Sequence, residues 1–323
     1  MNNTPAQPSH PTTPSPSSHR TQRPRLFVAE HCPYAQRVRI LVAALQVDVE
    51  CTVIDLKHPG TELLDVEPSG RVPVWVEPAE PEDQPSSESR ARLDSRGDQT
   101  VHRVLVESLV IARYLLACHA PQSLNDTPTV AADRASTDTT ERDAHNPQRS
   151  RALQQKAWLD ACEALLIAAL DNALAQQYRW LTQIARDPTS VDAEAATDAL
   201  ANHWTRLAQR HEQWRAALNA HHANAPQACS PTPETAHWLI DAVAAPLWRR
   251  QRIVENALMH AQSPLNPEPL TPLPELHDWI ERLATWPAAA CVDAAPARRA
   301  LADHLSAAAH SASPTPWLEA LRA

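Results

Sequence analysis

The chain has 323 residues, of which 43% are hydrophobic and only 4% aromatic, and its formal net charge at pH 7 is −9. A chain of this length suggests about two domains, and the negative charge argues against a nucleic-acid partner, because phosphate binding needs a concentrated positive face. The most apolar stretch, 104–118, contains Glu107 and Arg113 and is too short to cross a bilayer, so we expect no membrane span.

The six cysteines are too sparse for a disulfide framework, and neither a CxxC pair nor a Cys/His spacing indicates a metal site. The N-terminal residues are polar and rich in Pro, Ser and Thr, without the apolar segment of a secretory signal. We therefore expect free thiols in a reducing, cytoplasmic compartment, and no bound metal.

The first elements form a β-α-β unit. Residues 1–23 are a low-complexity polar tail that we predict to be disordered. A buried strand is predicted at 26–29, followed by a turn at 31–34 and a helix to about residue 45. A second strand at 51–54 should run parallel to the first, with a right-handed crossover between them.

The rest of the first domain is a short helix, a hairpin and a longer helix. The helix is predicted at 61–66, and the hairpin strands at 74–76 and 104–106. Between these strands, 78–100 is acidic and rich in Pro and Ser, which predicts a disordered insertion. Ser108 is placed to cap the last helix, which ends at about 117. We therefore predict an α/β domain over 24–120 with the thioredoxin-like order β-α-β-α-β-β-α.

The second part of the chain is predicted to be all-helical. Residues 121–150 are polar and are interpreted as a linker, and 151–323 as an all-α domain with helices at about 151–186, 192–221, 235–258, 274–286 and 296–309. Pro246 should kink the third of these. The second carries a stripe typical of a core face, on which we interpret His211 as a core histidine rather than a metal ligand. The stripe consists of Leu200, Trp204, Leu207, His211, Trp214 and Leu218.

Cys32 is the candidate reactive residue, because it lies where the first strand ends and the first helix begins. The unpaired N–H groups and the positive end of a helix dipole favour a thiolate at this position, and Pro33 fits the first turn. We expect the helix to lower the pKa of Cys32 from about 8.5; two units would require about 2.7 kcal/mol. Ala35 stands where a CxxC pair has its second thiol. A mixed disulfide on Cys32 must then be released by an external thiol.

Four segments resemble glutathione transferases of the omega class. The run 32–39, Cys-Pro-Tyr-Ala-Gln-Arg-Val-Arg, resembles their active-site segment. Segments 55–57 (Asp-Leu-Lys), 68–74 (Pro-Ser-Gly-Arg-Val-Pro-Val) and 107–108 (Glu-Ser) resemble their glutathione-site segments in the same order. The helical half resembles the family more loosely, through 239–241, Pro246 and 274–279, and Trp238 stands where the family has a Ser or Thr cap. The resemblance implies a thioredoxin-like domain followed by an all-α domain.

The resemblance also implies the roles of the site residues. Cys32 would be the catalytic residue, with glutathione as co-substrate. Val72, in a cis bond to Pro73, would pair with the glutathione backbone as an added strand does. Ser108 and the N–H groups of its helix would bind the γ-glutamyl carboxylate. Glu107 would receive the α-amino group, and Lys57 would contact the glycyl end.

The activity implied is that of a glutathione-dependent thiol transferase or reductase acting on a mixed disulfide or a small electrophile. Deglutathionylation, dehydroascorbate reduction and similar reactions use the same chemistry. The family's members are commonly homodimers, so we expect one here. A second-substrate pocket would be lined from the helical domain, with Trp180, Trp204, Trp214 and Trp248 among the candidates. The alternative is a non-catalytic binding or regulatory protein of the same fold, which the divergent helical half and the long polar insertions favour.

Overall fold

The structure, a computed structural model, describes residues 23–78, 92–93, 99–100, 102–120, 147–187, 189–224, 237–263, 274–309 and 315–323. The predicted disordered tail and most of the predicted insertion and linker lie outside these ranges. Within the insertion, β4 (Arg92–Leu93) and β5 (Gln99–Thr100) pair as a short antiparallel ladder. These four residues therefore depart from the prediction of disorder.

The N-terminal domain has the predicted order of elements. Its main sheet contains β1 (Arg25–Val28), β2 (Glu50–Val53), β3 (Val74–Pro78) and β6 (His102–Val106), in the order β2-β1-β3-β6. The predicted parallel pairing of β1 with β2 and the antiparallel hairpin of β3 with β6 are both confirmed. The helices are α1 (Pro33–Ala44), α2 (Thr61–Val66) and α3 (Ser108–His119).

The sheet is covered on both faces, and this explains the uninterrupted apolar run of β1. Leu26 and Val28 pack on the face that carries α1 and α3, whereas Phe27 packs on the opposite face against Leu63 of α2. All four side chains are fully buried. Because strand side chains alternate between faces, two helical layers require apolar residues at every position of the central strand. This is the predicted thioredoxin-like arrangement.

The second domain is all-helical, as predicted. Its helices are α4 (Pro147–Arg186), α5 (Val191–Asn224), α6 (Trp238–His260), α7 (His277–Thr285), α8 (Ala295–Ala309) and α9 (Pro316–Arg322). Short 3₁₀ turns precede and follow α7, at Pro274–Leu276 and Pro287–Cys291. The helix α9 was not predicted, and α6 continues through Pro246.

The predicted core stripe of α5 is buried at all six positions. His211 stacks on Trp279 of α7, with ring centroids 4.1 Å apart and the planes 4° from parallel. Burial and nearby arginines lower the pKa of His211 to about 4, so the ring is neutral at pH 7. The interpretation of His211 as a core residue is confirmed, and the contact that holds it is aromatic stacking.

The two domains pack directly against each other, with α1 lying on α6 and on the 3₁₀ turn Pro287–Cys291. Arg37 of α1 is almost fully buried and forms an ion pair with Asp171 of α4. Arg250 of α6 donates a hydrogen bond of 2.9 Å to the His31 carbonyl oxygen, in the turn that precedes α1. The helix that begins at Cys32 is therefore fixed by both domains.

Candidate functional site

A cleft of about 460 Å³ opens where α1 and α3 begin, beside the segment that leads into β3. Its lining includes five of the six predicted site residues, namely Cys32, Val72, Pro73, Glu107 and Ser108. It also includes Tyr34, Leu56, Glu67, Gly70, Arg71 and Val106, which we did not single out from the sequence. Segments separated by more than 30 residues along the chain thus meet in one cleft.

Cys32 is the N-cap residue of α1, as its position after the first strand predicts. Its carbonyl oxygen accepts the hydrogen bond of the Gln36 N–H at 3.0 Å, which begins the helix. Its half-buried Sγ faces the Val72 carbonyl oxygen at 3.9 Å, as a thiol donor does. The N–H groups of Tyr34 and Ala35 also point toward the sulfur, so the helix N-terminus does surround it.

Burial nevertheless raises the pKa of the Cys32 thiol above its ordinary value. The N–H groups of Ala35 and Tyr34, and the guanidinium groups of Arg250 and Arg37, favour the thiolate but do not outweigh the loss of hydration. The prediction of a lowered pKa in the free protein is therefore wrong. The helix N-terminus was correctly placed, but the sequence did not indicate how strongly folding removes water from the sulfur.

The Val72–Pro73 peptide bond is cis, as expected. Pro73 is buried and Val72 half-buried, so the backbone between them forms a firm edge of the cleft. The Val72 carbonyl lies on the side of Cys32. A peptide ligand can pair with a backbone edge of this kind as an additional strand does.

Glu107 and Ser108 form the opposite side of the cleft. Glu107 has φ of 70° and is the N-cap of α3, whereas Ser108 is the first helical residue. Ser108 therefore lies one residue beyond the predicted capping position, and the side chain of the actual N-cap, Glu107, makes no capping hydrogen bond. A non-glycine residue at positive φ costs roughly 1–3 kcal/mol, and such strain is concentrated at functional sites. Ser108 is 6% exposed, at a helix end suited to an anion.

A chain of polar side chains, missed by the sequence analysis, runs along the rim between Pro73 and α2. Glu67 accepts hydrogen bonds from the backbone and hydroxyl of Ser69, and the Ser69 hydroxyl accepts one from Arg71 Nε at 2.9 Å. Gly70, at φ of 68°, allows the turn; a Cβ there would lie 3.2 Å from Pro59 Cγ. The resemblance of segment 68–74 to a glutathione-site segment pointed to this region, but nothing in the segment indicated which of its side chains face the cleft.

Lys57 is the one predicted site residue that does not line the cleft. It follows Leu56, which does, and its backbone N–H donates to Asp55 Oδ1 at 2.9 Å. Burial, Arg250 and, to a smaller extent, the charge of Lys57 lower the pKa of His304 in the helical domain. Lys57 therefore lies beside the cleft, toward the second domain.

Residues of the helical domain reach the turn at Cys32, and no local pattern in the sequence indicated them. The Tyr178 hydroxyl and the Arg250 Nη2 atom donate to the same acceptor, the His31 carbonyl oxygen, at 3.0 and 2.9 Å. The His31 ring stacks on His304 of α8, with centroids 4.8 Å apart. Burial, His304 and Arg250 together lower the pKa of His31 to about 4.

The four tryptophans proposed for a second-substrate pocket lie in the core instead. Trp180, Trp204, Trp214 and Trp248 are at most 3% exposed, and none lines the cleft beside Cys32. Trp204 stacks on Trp248 at 4.7 Å between ring centroids. Helical periodicity identified them as buried but could not distinguish a core from a pocket wall.

Two further expectations concern metals and membranes. Within the described ranges, no group of three or more His, Cys, Asp or Glu is arranged to hold a metal ion. No helix in the same part of the chain is long and apolar enough to cross a membrane.

The sequence and the cleft together correspond to a known domain family. Residues 31–117 match the family model described as the glutathione S-transferase N-terminal domain. The N-terminal domain of this chain is a glutathione S-transferase domain. Within this glutathione S-transferase domain the match spans the elements from the turn at Cys32 to α3, and so contains all of the predicted site residues. The predicted resemblance to glutathione transferases is confirmed over these residues, and the omega class stays a prediction.

Comparison with solved structures gives similar folds at low sequence identity, whereas no curated protein sequence matches the chain. The chain is similar to glutathione transferase Omega 2C from Trametes versicolor, with 19% identity, 87% of this chain and 98% of that chain covered, and a TM-score of 0.45. Glutathione transferase Omega 3C from the same organism has 14% identity, with 84% of this chain and 89% of that chain covered and a TM-score of 0.44. A glutathione transferase family member from Pseudomonas fluorescens pf-5, with two glutathione bound, has 12% identity, with 85% of this chain and 93% of that chain covered and a TM-score of 0.40.

Proposed function

We propose that this protein is a glutathione-dependent thiol transferase of the omega-like, cysteine type, with Cys32 as the reacting residue. The observation that carries the proposal is the position of the Cys32 sulfur. It lies at the N-terminus of α1, in a cleft that also contains the N-terminus of α3 and the backbone edge at Val72. A tripeptide with an anionic end can occupy such a cleft and bring its own sulfur to Cys32.

In this proposal each part of glutathione has a partner. The γ-glutamyl carboxylate binds Ser108 and the first N–H groups of α3, and its α-amino group binds Glu107. The cysteinyl backbone pairs with Val72 next to Pro73, and Lys57 at the side of the cleft binds the glycyl carboxylate. Arg71, the one basic residue among those that line the cleft in the described ranges, is a further partner for a carboxylate.

The reaction proceeds in two exchanges. The Cys32 thiol loses its proton to solvent, and the thiolate attacks the glutathione sulfur of a mixed disulfide. The S–S bond breaks, and the released thiolate takes up a proton. A second glutathione, as its thiolate, then attacks the glutathione sulfur bound to Cys32, which yields oxidised glutathione and restores the Cys32 thiolate. Ala35 offers no second thiol, so this external thiol is required.

The same chemistry serves deglutathionylation and the reduction of a small electrophile such as dehydroascorbate. Conjugation of glutathione is less well supported, because a cysteine beside the bound thiol would trap it as a disulfide. The second substrate would enter where the cleft meets the helical domain, near His31, Tyr178 and Arg250.

The test is a coupled assay of glutathione with a glutathione mixed disulfide, comparing the wild type with Cys32→Ser. We expect the variant to lose at least 100-fold in rate. Cys51→Ser is the matched control, because Cys51 is a free, exposed cysteine outside the cleft; its rate should equal that of the wild type. Equal rates for the wild type and Cys32→Ser would refute the role of Cys32.

The second candidate is a non-catalytic protein that binds glutathione or a related ligand, in a reducing, cytoplasmic compartment in either case. The raised pKa of Cys32 favours it, since binding alone requires no thiolate. Calorimetric titration with glutathione, combined with the mixed-disulfide assay, separates the two candidates. Saturable binding, together with a mixed-disulfide rate no greater than that of Cys32→Ser, would establish the binding protein.

We also propose a homodimer that covers an exposed apolar surface beside the cleft. The exposed apolar side chains available to it are Val104, Val106, Val110, Leu153, Trp158 and Leu165, on β6, α3 and α4. An ion pair of 3.2 Å between Arg113 and Glu163 joins α3 to α4. Exposed apolar clusters of this kind commonly mark interfaces. Light scattering should give twice the chain mass, and Trp158→Glu should yield monomers; a monomeric wild type would contradict the proposal.

A further inference from the structure

Arg250, in the middle of α6, is a buried cation next to Cys32. Its side chain is 1% exposed. Its Nη2 atom donates to the carbonyl oxygen of His31, the residue before Cys32, and more weakly to Gln36 Oε1 at 3.4 Å. The guanidinium carbon lies over the ring of Tyr178, 4.8 Å from its centroid. The group is therefore fixed in position on three sides.

Arg250 differs from the other buried arginines in having no anionic partner. Arg37 is paired with Asp171, and Arg249 binds Asp293 through two hydrogen bonds of 2.8 and 2.9 Å. In the described part of the chain, no carboxylate lies within 4.0 Å of Arg250, and its buried Nη1 has no hydrogen-bond partner. An unpaired buried cation is costly, and the cost falls when an anion forms beside it.

The groups that surround Arg250 indicate which neighbour can become its anionic partner. His31 and His304 both have lowered pKa values, and Tyr178 has a raised one, so all three are neutral at pH 7. Arg37 of α1 is a second cation facing the same turn. Among these neighbours the Cys32 thiol is the group that chemistry requires to become negative during disulfide exchange.

We propose that Arg250 is the positioning residue that holds the counter-charge of the Cys32 thiolate. When the thiol loses its proton to solvent, the electron pair stays on Sγ, and the guanidinium of Arg250 faces the new negative charge across the turn. The helical domain thus determines the acidity of a residue in the glutathione S-transferase domain. This deepens the proposed function and depends on it only in taking Cys32 as the reacting thiol.

The test measures the acidity of Cys32 directly, without glutathione or turnover. The rate of iodoacetamide alkylation at Cys32 is followed between pH 6 and pH 11 by mass spectrometry of its peptide. We expect Arg250→Met to move the midpoint upward by about one pH unit and to lower the rate at pH 8 about tenfold. Arg250→Lys, which keeps the charge, should recover most of the rate.

Two variants separate charge from packing. Tyr178→Phe removes the other hydrogen bond to the His31 carbonyl without changing charge, so its midpoint should equal that of the wild type. Arg252→Met removes an exposed arginine of the same helix and should also leave it unchanged. If Arg250→Met does not fold, Arg250→Gln decides, because it retains a donor for the His31 carbonyl and lacks the charge.

An unchanged midpoint in a folded Arg250→Met or Arg250→Gln variant would overturn the proposal, as would an equal shift in Tyr178→Phe. These outcomes are independent of the proposed function. The expected shift of the alkylation midpoint in Arg250→Met, found together with a wild type that has no thiol-transfer activity, would support the electrostatic role of Arg250. The same result would refute the proposed catalytic function.

Discussion

The indole Nε1 of Trp279 donates a hydrogen bond of 2.8 Å to the buried carboxylate of Asp241. Arg282, on the same helix as Trp279, reaches the same carboxylate oxygen at 3.0 Å. Burial raises the pKa of Asp241, although Arg282 and Trp279 oppose the rise. This contact joins the first turn of α6 to α7, and so fixes the beginning of the helix that carries Arg250.

We expect Asp241→Ala to lower the free energy of unfolding by about 1–3 kcal/mol, because it leaves the buried N–H of Trp279 without an acceptor. The guanidinium of Arg282 is exposed, so water replaces its lost partner. Chemical denaturation followed by tryptophan fluorescence measures the change. Asp278→Ala is the control, because Asp278 is an exposed carboxylate on α7; its effect should stay below about 1 kcal/mol. Equal effects of the two substitutions would contradict the structural role of Asp241.

The raised pKa of Cys32 predicts how its reactivity depends on pH. Only the thiolate reacts, and below the pKa each pH unit increases the thiolate fraction about tenfold. Because burial raises this pKa, both alkylation and thiol transfer should still be rising between pH 8 and pH 9. Initial rates with a mixed disulfide, corrected for the uncatalysed reaction, measure this. A plateau that begins below pH 7 would show that the helix N-terminus and the two arginines outweigh burial.

Glu107 combines backbone strain with a proposed binding role, and two substitutions separate these. Glu107→Ala keeps a side chain at φ of 70°, whereas Glu107→Gly relieves the strain. Both should weaken glutathione binding several-fold by removing the carboxylate. Glu107→Gly should be more stable than Glu107→Ala by about 1 kcal/mol, as measured by thermal unfolding. If the alanine variant is equally stable, the positive φ carries no strain.

Lys57 and Lys156 are the only lysines of the chain, which provides a matched pair. Lys57→Met should raise the KM for glutathione about 3–10-fold, as expected for the loss of one charged hydrogen bond, with little change in kcat. Lys156→Met removes only an exposed ion pair with Asp160 on α4 and should leave both constants unchanged. An unaltered KM in Lys57→Met would show that Lys57 does not bind the glycyl carboxylate, and Arg71 would then be the candidate for that contact.

Trp204 tests the assignment of the tryptophans to the core. Trp204→Ala should lower the free energy of unfolding by about 3–5 kcal/mol, because it removes a fully packed ring from the stack with Trp248. The KM for the second substrate, measured on the folded fraction at low temperature, should not change. A raised KM with unaltered stability would instead place Trp204 in a substrate pocket.

The sequence by itself determined most of the helices and strands and much of the lining of the cleft at Cys32. The apolar run of β1, the periodicity of α1 and the segment 68–74 each depend on neighbours close in the chain, so local patterns were sufficient to predict them. The same holds for Cys32 as the N-cap of α1, since a strand that ends and a helix that begins define that position. The one-residue displacement at Ser108 is of the size expected for helix boundaries.

Only the tertiary structure decided what surrounds Cys32. Arg250 lies more than 200 residues from His31 in the chain, and Tyr178 nearly 150, yet both bind the same carbonyl oxygen. No periodicity links such positions. Desolvation is likewise a property of the packed molecule, and it reversed the predicted direction of the Cys32 pKa. The sequence placed the sulfur at a helix end, and burial in the folded chain determined how strongly that sulfur holds its proton.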